Sequence, residues 1–205
     1  MNRLSFVARR SLSTTAIRRS KPEPFRVAFT ELSGAPPGQC VATITMACAK
    51  ANSFDATALQ GLSQALTLVE AREGLRGLVL QSGVPGFFSA GVNLRAFANI
   101  SHDNFLQLWT LAKSVFRRLH ALPVPSIAAI DGHALGLGCA MAMACQHRYA
   151  VNSPALIGLN EVPVGLPVPQ WLAERFRDLT SLRVAEELLC TGEPVTATRA
   201  LALGL

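Results

Sequence analysis

The hydrophobic pattern of the chain begins with short β-branched and apolar runs. Residues 25–32 and 41–46 are two such runs separated by SGAPPGQ, which predicts a pair of antiparallel strands joined by a turn. The period then changes. From Asp55 onward Leu59, Leu62, Leu66 and Val69 recur at the spacing of one helix face, with Ser53 or Asp55 placed to accept from the free N–H groups of the first turn. That helix is expected to end near Gly74. Residues 75–81, LRGLVLQ, read as a buried strand and SGVPGFFSAG as the loop after it. A second helix is expected from about residue 101 to 122, where Phe105, Leu108, Leu111, Val115, Leu119 and Leu122 form one stripe ahead of Pro123 and Pro125. Residues 126–130, SIAAI, lack alternation and predict a strand covered on both faces. Asp131-Gly132 turns the chain into HALGLGCAMAMACQH, which reads as a buried helix, and residues 148–151 and 155–158 read as short strands. Two last helices are expected at about 181–190 and 196–203, closed by Gly192 and Gly204. Strands alternating with helices in this order predict an α/β domain with a mostly parallel sheet.

Composition narrows this further. Of 205 residues, 50% are hydrophobic and 16% charged, with a mean hydropathy of +0.31, too apolar for a disordered tail or stalk. The length suits one domain, and no period of repeat-protein length runs through it. The longest stretch free of polar side chains, 134–145, falls short of the roughly 20 residues a membrane span requires, so no span is predicted. The net charge of +6 looks like a nucleic-acid signal until it is located. Arg3, Arg9, Arg10, Arg18, Arg19 and Lys21 account for all of it, with no acid among residues 1–21, and the remainder is neutral. Nucleic acid is therefore not an expected partner, and the pairs Arg117-Arg118 and Arg175/Arg177 read as solvated helix faces. The leader itself, Arg-rich, Ser/Thr-rich and acid-free, has the composition of a mitochondrial transit peptide, its alternative being a basic tail. Residues 1–24 are expected to be transit peptide and linker, 25–205 the domain, and the mitochondrial matrix the destination. Cysteines at 40, 48, 139, 145 and 190 show neither disulfide nor zinc spacing, which suits free thiols in a reducing compartment and predicts no metal.

Two Gly-rich turns, GFFSAG at 86–91 and GHALGLG at 132–138, each follow a strand and lead toward a helix. Backbone N–H groups at such turns, with the positive end of a helix behind them, can grip one oxyanion; the alternative is tight packing of turn on sheet. A dinucleotide fingerprint starting at Gly136 fails at Met141, and a hydrolase elbow at Ser89 fails at Phe87. His102, His120, His133 and His147 form no metal motif. Between Gly132 and Leu172 there is one acid, Glu161, in the apolar stretch IGLNEVPVGLPVP with Arg148 the one base nearby. It is either a carboxylate raised by desolvation, fit to take and return a proton near neutral pH, or a solvated loop residue.

The stretches GFFSAGVNL, AAIDGHALGLGCAMAMACQHRYAV and IGLNEVPVGL, in this order, resemble the crotonase (enoyl-CoA hydratase/isomerase) superfamily, the third looking most like its mitochondrial Δ3,Δ2-enoyl-CoA isomerase branch. The resemblance covers about residues 25–205. It implies an α/β crotonase-like fold, a spiral of repeated ββα units shared with Clp-type peptidases. An acyl-CoA thioester is the implied substrate and a homotrimer the implied assembly, with no cofactor because coenzyme A is part of the substrate. The oxyanion hole maps to the N–H groups of Ala90 and Leu137. Ser89, Ala90, Gly91, Val92, Asn93 and Leu94 map to the segment lining the acyl-CoA site, with Gly136 beside them and Asn160 beside the acyl group. Family hydratases carry two glutamates, and here those positions are Ala140 and Glu161. One carboxylate suffices to move a proton from C2 to C4, so the resemblance implies isomerisation of 3-enoyl-CoA with Glu161 as the catalytic base. Asn93 stands where many relatives have aspartate. Relatives also continue beyond ALGL with further helices, so the chain is expected to be a C-terminally shortened member. Rivals are an enoyl-CoA hydratase, a non-catalytic relative that binds acyl-CoA or a partner, and a serine peptidase, for which no histidine and acid are suitably spaced.

Overall fold

The computed structural model describes residues 23–97 and 100–205. The transit-peptide reading therefore falls almost wholly outside the described residues. The chain opens with β1 (Phe25–Glu31) and β2 (Cys40–Met46), paired antiparallel as expected, with Phe25 opposite Met46 and Glu31 opposite Cys40. β2 alternates buried and half-buried residues, whereas β1 is an exposed edge strand whose Phe29 ring lies 5.3 Å under the Arg72 guanidinium. A short turn of helix, α1 (Ala49–Asn52), precedes α2 (Ala56–Glu70). The Asp55 side chain accepts from Ala58 N–H at 2.9 Å, capping α2, and the predicted stripe Leu59, Leu62, Leu66 and Val69 is wholly buried.

β3 (Leu75–Ser82) runs parallel to β2 and is followed by β4 (Phe87–Ser89), then α3 (Leu94–Phe97) and α4 (His102–His120), which Ser101 caps. On α4 the buried positions are Leu108, Ala112, Val115, Phe116 and Leu119; Phe105 and Leu111 are half-buried, so the core stripe is rotated from the expected one. α2 and α4 are tied by Arg118, which donates to Ser63 and Thr67 and makes a 2.7 Å ion pair with Glu70. β5 (Ser126–Ile130) and β6 (His133–Leu135) follow, then α5 (Leu137–Ala144), β7 (His147–Ala150) and β8 (Leu156–Gly158). The end of the chain carries α6 (Gln170–Leu179), α7 (Leu182–Thr191), β9 (Val195–Thr196) and α8 (Ala197–Leu203). Gly192 and Gly204 close α7 and α8 in left-handed geometry, as expected.

The strands sort into two sheets, β1-β2-β3-β5-β7 and β4-β6-β8-β9. Each pass through the fold places one strand in the larger sheet and the next in the smaller: β3 then β4, β5 then β6, β7 then β8, with helix between passes. This is the expected ββα repeat. It corrects four local readings. The SGVPGFFSAG loop contains β4, and the stretch read as one helix from residue 133 holds β6, an eight-residue helix and the start of β7. Gly136, at φ 51° and ψ −122°, breaks that stretch where no residue with a Cβ sits comfortably. β5 is fully buried on one face and half-buried on the other, so it is not covered equally on both. α6 went unread because Pro167 and Pro169 obscure its start, yet Leu172 and Phe176 are buried at helical spacing. All eight residues of α5 are buried, which places this helix at the centre of the core.

Candidate active site

The site forms where the ends of β4, β6 and β8 come side by side in the smaller sheet. Its first wall is the turn after β4, and a buried amide holds it. Asn52, wholly buried, accepts from Cys48 N–H at 2.8 Å and donates to Ser82 Oγ at 2.9 Å and to Phe88 O at 3.1 Å. Its own carbonyl accepts from Ser89 Oγ at 2.8 Å, and that hydroxyl in turn accepts from Gly91 N–H at 3.1 Å. Ala51 and Asn52 both lie in the left-handed region, at φ 60° and 53°, a strain of order 1 kcal/mol or more each that this network offsets.

The hydrogen bonds of this turn decide which N–H groups can meet a ligand. Phe54 N–H donates to Gly91 O at 2.7 Å and Asn93 N–H to Phe54 O at 2.9 Å, forming a small parallel bridge of Phe54 with Val92. Ala90 N–H donates to Ala51 O at 2.9 Å. The assignment of Ala90 as an oxyanion donor is therefore corrected, since its N–H is already spent. The N–H of Val92, two residues on, has no protein partner among the described residues. Ser89 is wholly buried and its hydroxyl serves the turn; Gly91 too is buried, and neither lines the cleft. Asn93 is half-buried beside it, while Ala90, Val92 and Leu94 line it.

The second wall is the start of α5. Gly136 N–H donates to Gly158 O at 2.9 Å and Gly136 O accepts from Ala140 N–H at 2.9 Å, leaving Leu137 N–H, the first of the helix, without a partner among the described residues. The two walls touch: a Cβ added to Gly91, itself at φ 83°, would lie 3.2 Å from Leu137 N. Glycine at 91 thus brings the Val92 turn against the positive end of α5, and two N–H groups face one space. One helical turn on, Ala140 is fully buried and brings no carboxylate.

Glu161 closes the third side. It follows β8 and opens a 3₁₀ turn, Val162–Val164, its carbonyl accepting from Val164 N–H at 3.0 Å and Leu166 N–H at 3.1 Å. The residue is 9% exposed, and its Oε2 is shielded from solvent with no hydrogen-bond partner. Burial pushes the carboxyl up to about 7, partly opposed by its own backbone N–H. The open choice between a desolvated and a solvated carboxylate is resolved for the former. Beneath it the Cys139 thiol is pushed up to about 12, first by burial and then by the Glu161 charge, so it stays protonated. A Cβ on Gly136 would sit 3.3 Å from Asn160 Oδ1 and 3.4 Å from Glu161 Oε1, so both side chains lean over the glycine. The cleft of about 60 Å3 is lined by Asn160, Glu161, Gly136 and Leu137 on one side and by apolar Leu94, Val164 and Leu166 around its mouth.

The sequence reading missed Asn52, an amide between Lys50 and Ser53 that no local pattern singles out. Among the described residues, no three His, Cys, Asp or Glu side chains gather as a metal site would need. His133 Nδ1 accepts from Leu156 N–H at 3.1 Å and its ring lies 5.2 Å from Phe87, a structural role. No helix among the described residues is long and apolar enough to cross a membrane.

The chain is 32% identical over 155 residues to the mitochondrial enoyl-CoA delta isomerase 1 of Rattus norvegicus, covering 75% of this chain and 54% of that protein. It is 34% identical over 169 residues to a probable enoyl-CoA hydratase of Bacillus subtilis, covering 82% of this chain and 64% of that one. The chain therefore spans less than two thirds of the length of either curated relative. The crystal structure of human mitochondrial delta3-delta2-enoyl-CoA isomerase superposes with a TM-score of 0.80 at 30% identity, over 87% of this chain and 68% of that one. An enoyl-CoA hydratase structure from Bacillus anthracis superposes at 0.77 and 27% identity, over 87% of this chain and 67% of that one. Isomerases and hydratases thus stand at similar distances. A family model, enoyl-CoA hydratase/isomerase, matches residues 37–205, and with the crotonase fold and the three-walled cleft in place the chain belongs to that family.

Proposed function

We propose that this site isomerises a 3-enoyl-CoA to the trans-2-enoyl-CoA. The observation that carries the reading is Glu161, the one acid lining the cleft, with Oε2 buried and unpartnered beside two unpartnered N–H groups. The thioester oxygen sits on the N–H groups of Val92 and Leu137, with Val92 taking the place first given to Ala90. Ionised Glu161 removes the C2 proton, and the electron pair moves onto the thioester oxygen as an enolate held by those donors. The double bond then re-forms between C2 and C3 as the protonated Glu161 delivers its proton to C4. Proton and charge balance, and no water is consumed. A carboxyl raised to about 7 suits this, since it accepts and returns a proton at little cost near neutral pH.

Hydration of a 2-enoyl-CoA needs a water held and activated between two carboxylates, and Ala140 offers none. Leu94, Val164 and Leu166 at the mouth suit an acyl chain. A mitochondrial matrix address is part of the proposal, supported by the acid-free, Arg-rich residues 1–21 and by the mitochondrial rat relative. A homotrimer is proposed on the family likeness. The test is direct: the purified protein should convert 3-hexenoyl-CoA far faster than it hydrates crotonyl-CoA. Hydration as the faster reaction overturns the assignment.

A further inference from the structure

The two N–H groups assigned to the thioester oxygen stand on unequal supports. Leu137 opens α5, whose eight residues are all buried, so the core itself fixes it. Val92 lies in an irregular turn and depends on the segment beside it, residues 51–54. Ala90 N–H is tied to Ala51 O, Gly91 N–H to Ser89 Oγ and Asn93 N–H to Phe54 O, which leaves Val92 N–H alone in this turn without a partner among the described residues. The turn is therefore only as well placed as residues 51–54 are.

One side chain holds that segment. The buried Asn52 amide accepts from Cys48 N–H on one side and donates on the other to Ser82 Oγ at the end of β3 and to Phe88 O in β4. Its main-chain carbonyl accepts from Ser89 Oγ. Ser89 also reaches the second wall: a Cβ added to Gly138 would lie 2.7 Å from Ser89 Cβ and 2.8 Å from its Oγ, so the serine fills the space that this glycine leaves on α5. A chain of contacts thus runs from Asn52 through Ser89 to the helix that carries Leu137. Asparagine combines what position 52 demands, a donor and an acceptor on one short side chain and tolerance of φ 53°. We propose that Asn52 is a positioning residue for the oxyanion grip, setting through Ser89 the separation of the Val92 and Leu137 N–H groups. The inference rests on the reading of those two donors, not on which reaction they serve.

An enolate oxygen carries more charge than the ground-state carbonyl, so misplaced donors cost the transition state more than they cost binding. Asn52→Gly permits the left-handed backbone and removes the amide, while Ser89→Ala cuts the same chain of contacts more gently. Each should lower kcat on 3-hexenoyl-CoA about 10- to 100-fold with little change in KM. A spectroscopic signature separates alignment from stability. A conjugated thioester absorbs at longer wavelength when its carbonyl is polarised, so 2,4-hexadienoyl-CoA bound to Glu161→Gln should show a red shift that adding Asn52→Gly or Ser89→Ala shrinks. Val69→Ala, which opens a cavity under the last turn of α2 outside the cleft lining, is the control: it should lower stability and leave kcat and the red shift in place. A full red shift with unchanged kcat in either variant that folds, an effect confined to KM, or an equal loss in Val69→Ala overturns the proposal. So does the absence of any red shift in Glu161→Gln, which removes the donors themselves. Hydration outpacing isomerisation while the red shift still depends on Asn52 overturns the isomerase reading and upholds the positioning role.

Discussion

Glu161 and Arg148 are the two side chains among the described residues with a shielded polar atom that has no hydrogen-bond partner, Oε2 and Nε, yet burial acts on them in opposite senses. Glu161 is pushed up to about 7 and can drop its charge by taking a proton near neutral pH. Arg148 is pushed down from its ordinary value by desolvation and by Arg175, and still holds its proton at any physiological pH. The same desolvation produces a reactive acid at one place and a cation that keeps its charge at the other. What decides is the distance between each group's ordinary pKa and neutrality.

The comparison breaks first at Glu161. Glu161→Gln keeps the shape and removes the proton carrier, so 3-hexenoyl-CoA turnover should fall roughly 100-fold or more with unchanged circular dichroism. In the unmodified protein kcat/KM should rise with pH and level off above about 7 as the base ionises. Stability should show the matching cost. Below about pH 4.5 the carboxyl is protonated whether folded or not; as pH rises toward about 7 the unfolded chain ionises and the folded one does not. Stability should therefore fall across that window and stay low above it, and Glu161→Gln should recover up to about 3 kcal/mol at pH 8 and almost nothing at pH 4, read by urea unfolding. A flat difference would show that the carboxyl is solvated.

A smaller effect is expected at the glycine under both Glu161 and Asn160. Gly136→Ala forces an L residue into φ 51° and ψ −122° with its Cβ 3.3 Å from Asn160 Oδ1. It should cost about 1–3 kcal/mol in stability, and kcat should drop more than KM rises because Leu137 N–H shifts. Arg148→Met sharpens the other half of the comparison: removing a charge that cannot neutralise should stabilise by about 1 kcal/mol, equally at pH 5 and pH 8. The half-exposed Arg118 serves as control, and Arg118→Met should lose about 1 kcal/mol despite its several hydrogen bonds, because water competes for them.

The larger sheet and the two long helices were legible in the sequence because strands of four to eight residues and helices of 15 to 19 carry enough period to read. Of the smaller sheet only β8 was, as the strand expected at 155–158. β4, β6 and β8 have three residues each and β9 two, too few for alternation, and they form because neighbouring passes bring them into register. The site sits on that sheet, so its chemistry was visible in the glycines and in Glu161 while its geometry was hidden. Ala90 illustrates the gap: whether an N–H is free depends on a partner 39 residues away, Ala51 O, and on the buried Asn52 that holds it, neither of which a local pattern contains.

The complete burial of α5 sets the timescale on which its amides meet solvent water. A helix enclosed on all sides, with Ala140 N–H bonded to Gly136 O at 2.9 Å, exchanges its bonded hydrogens for deuterium mainly when the whole domain opens. Leu137 N–H, one residue after the glycine, is anchored to the same rigid rod and yet has no partner among the described residues. Its hydrogen should exchange orders of magnitude faster than those of the next turn, without any unfolding. A thioester analogue resting on Leu137 and Val92 should slow those two amides while leaving the rest of α5 at its already low rate, so the oxyanion site would announce itself as two newly protected positions beside a segment that was protected all along.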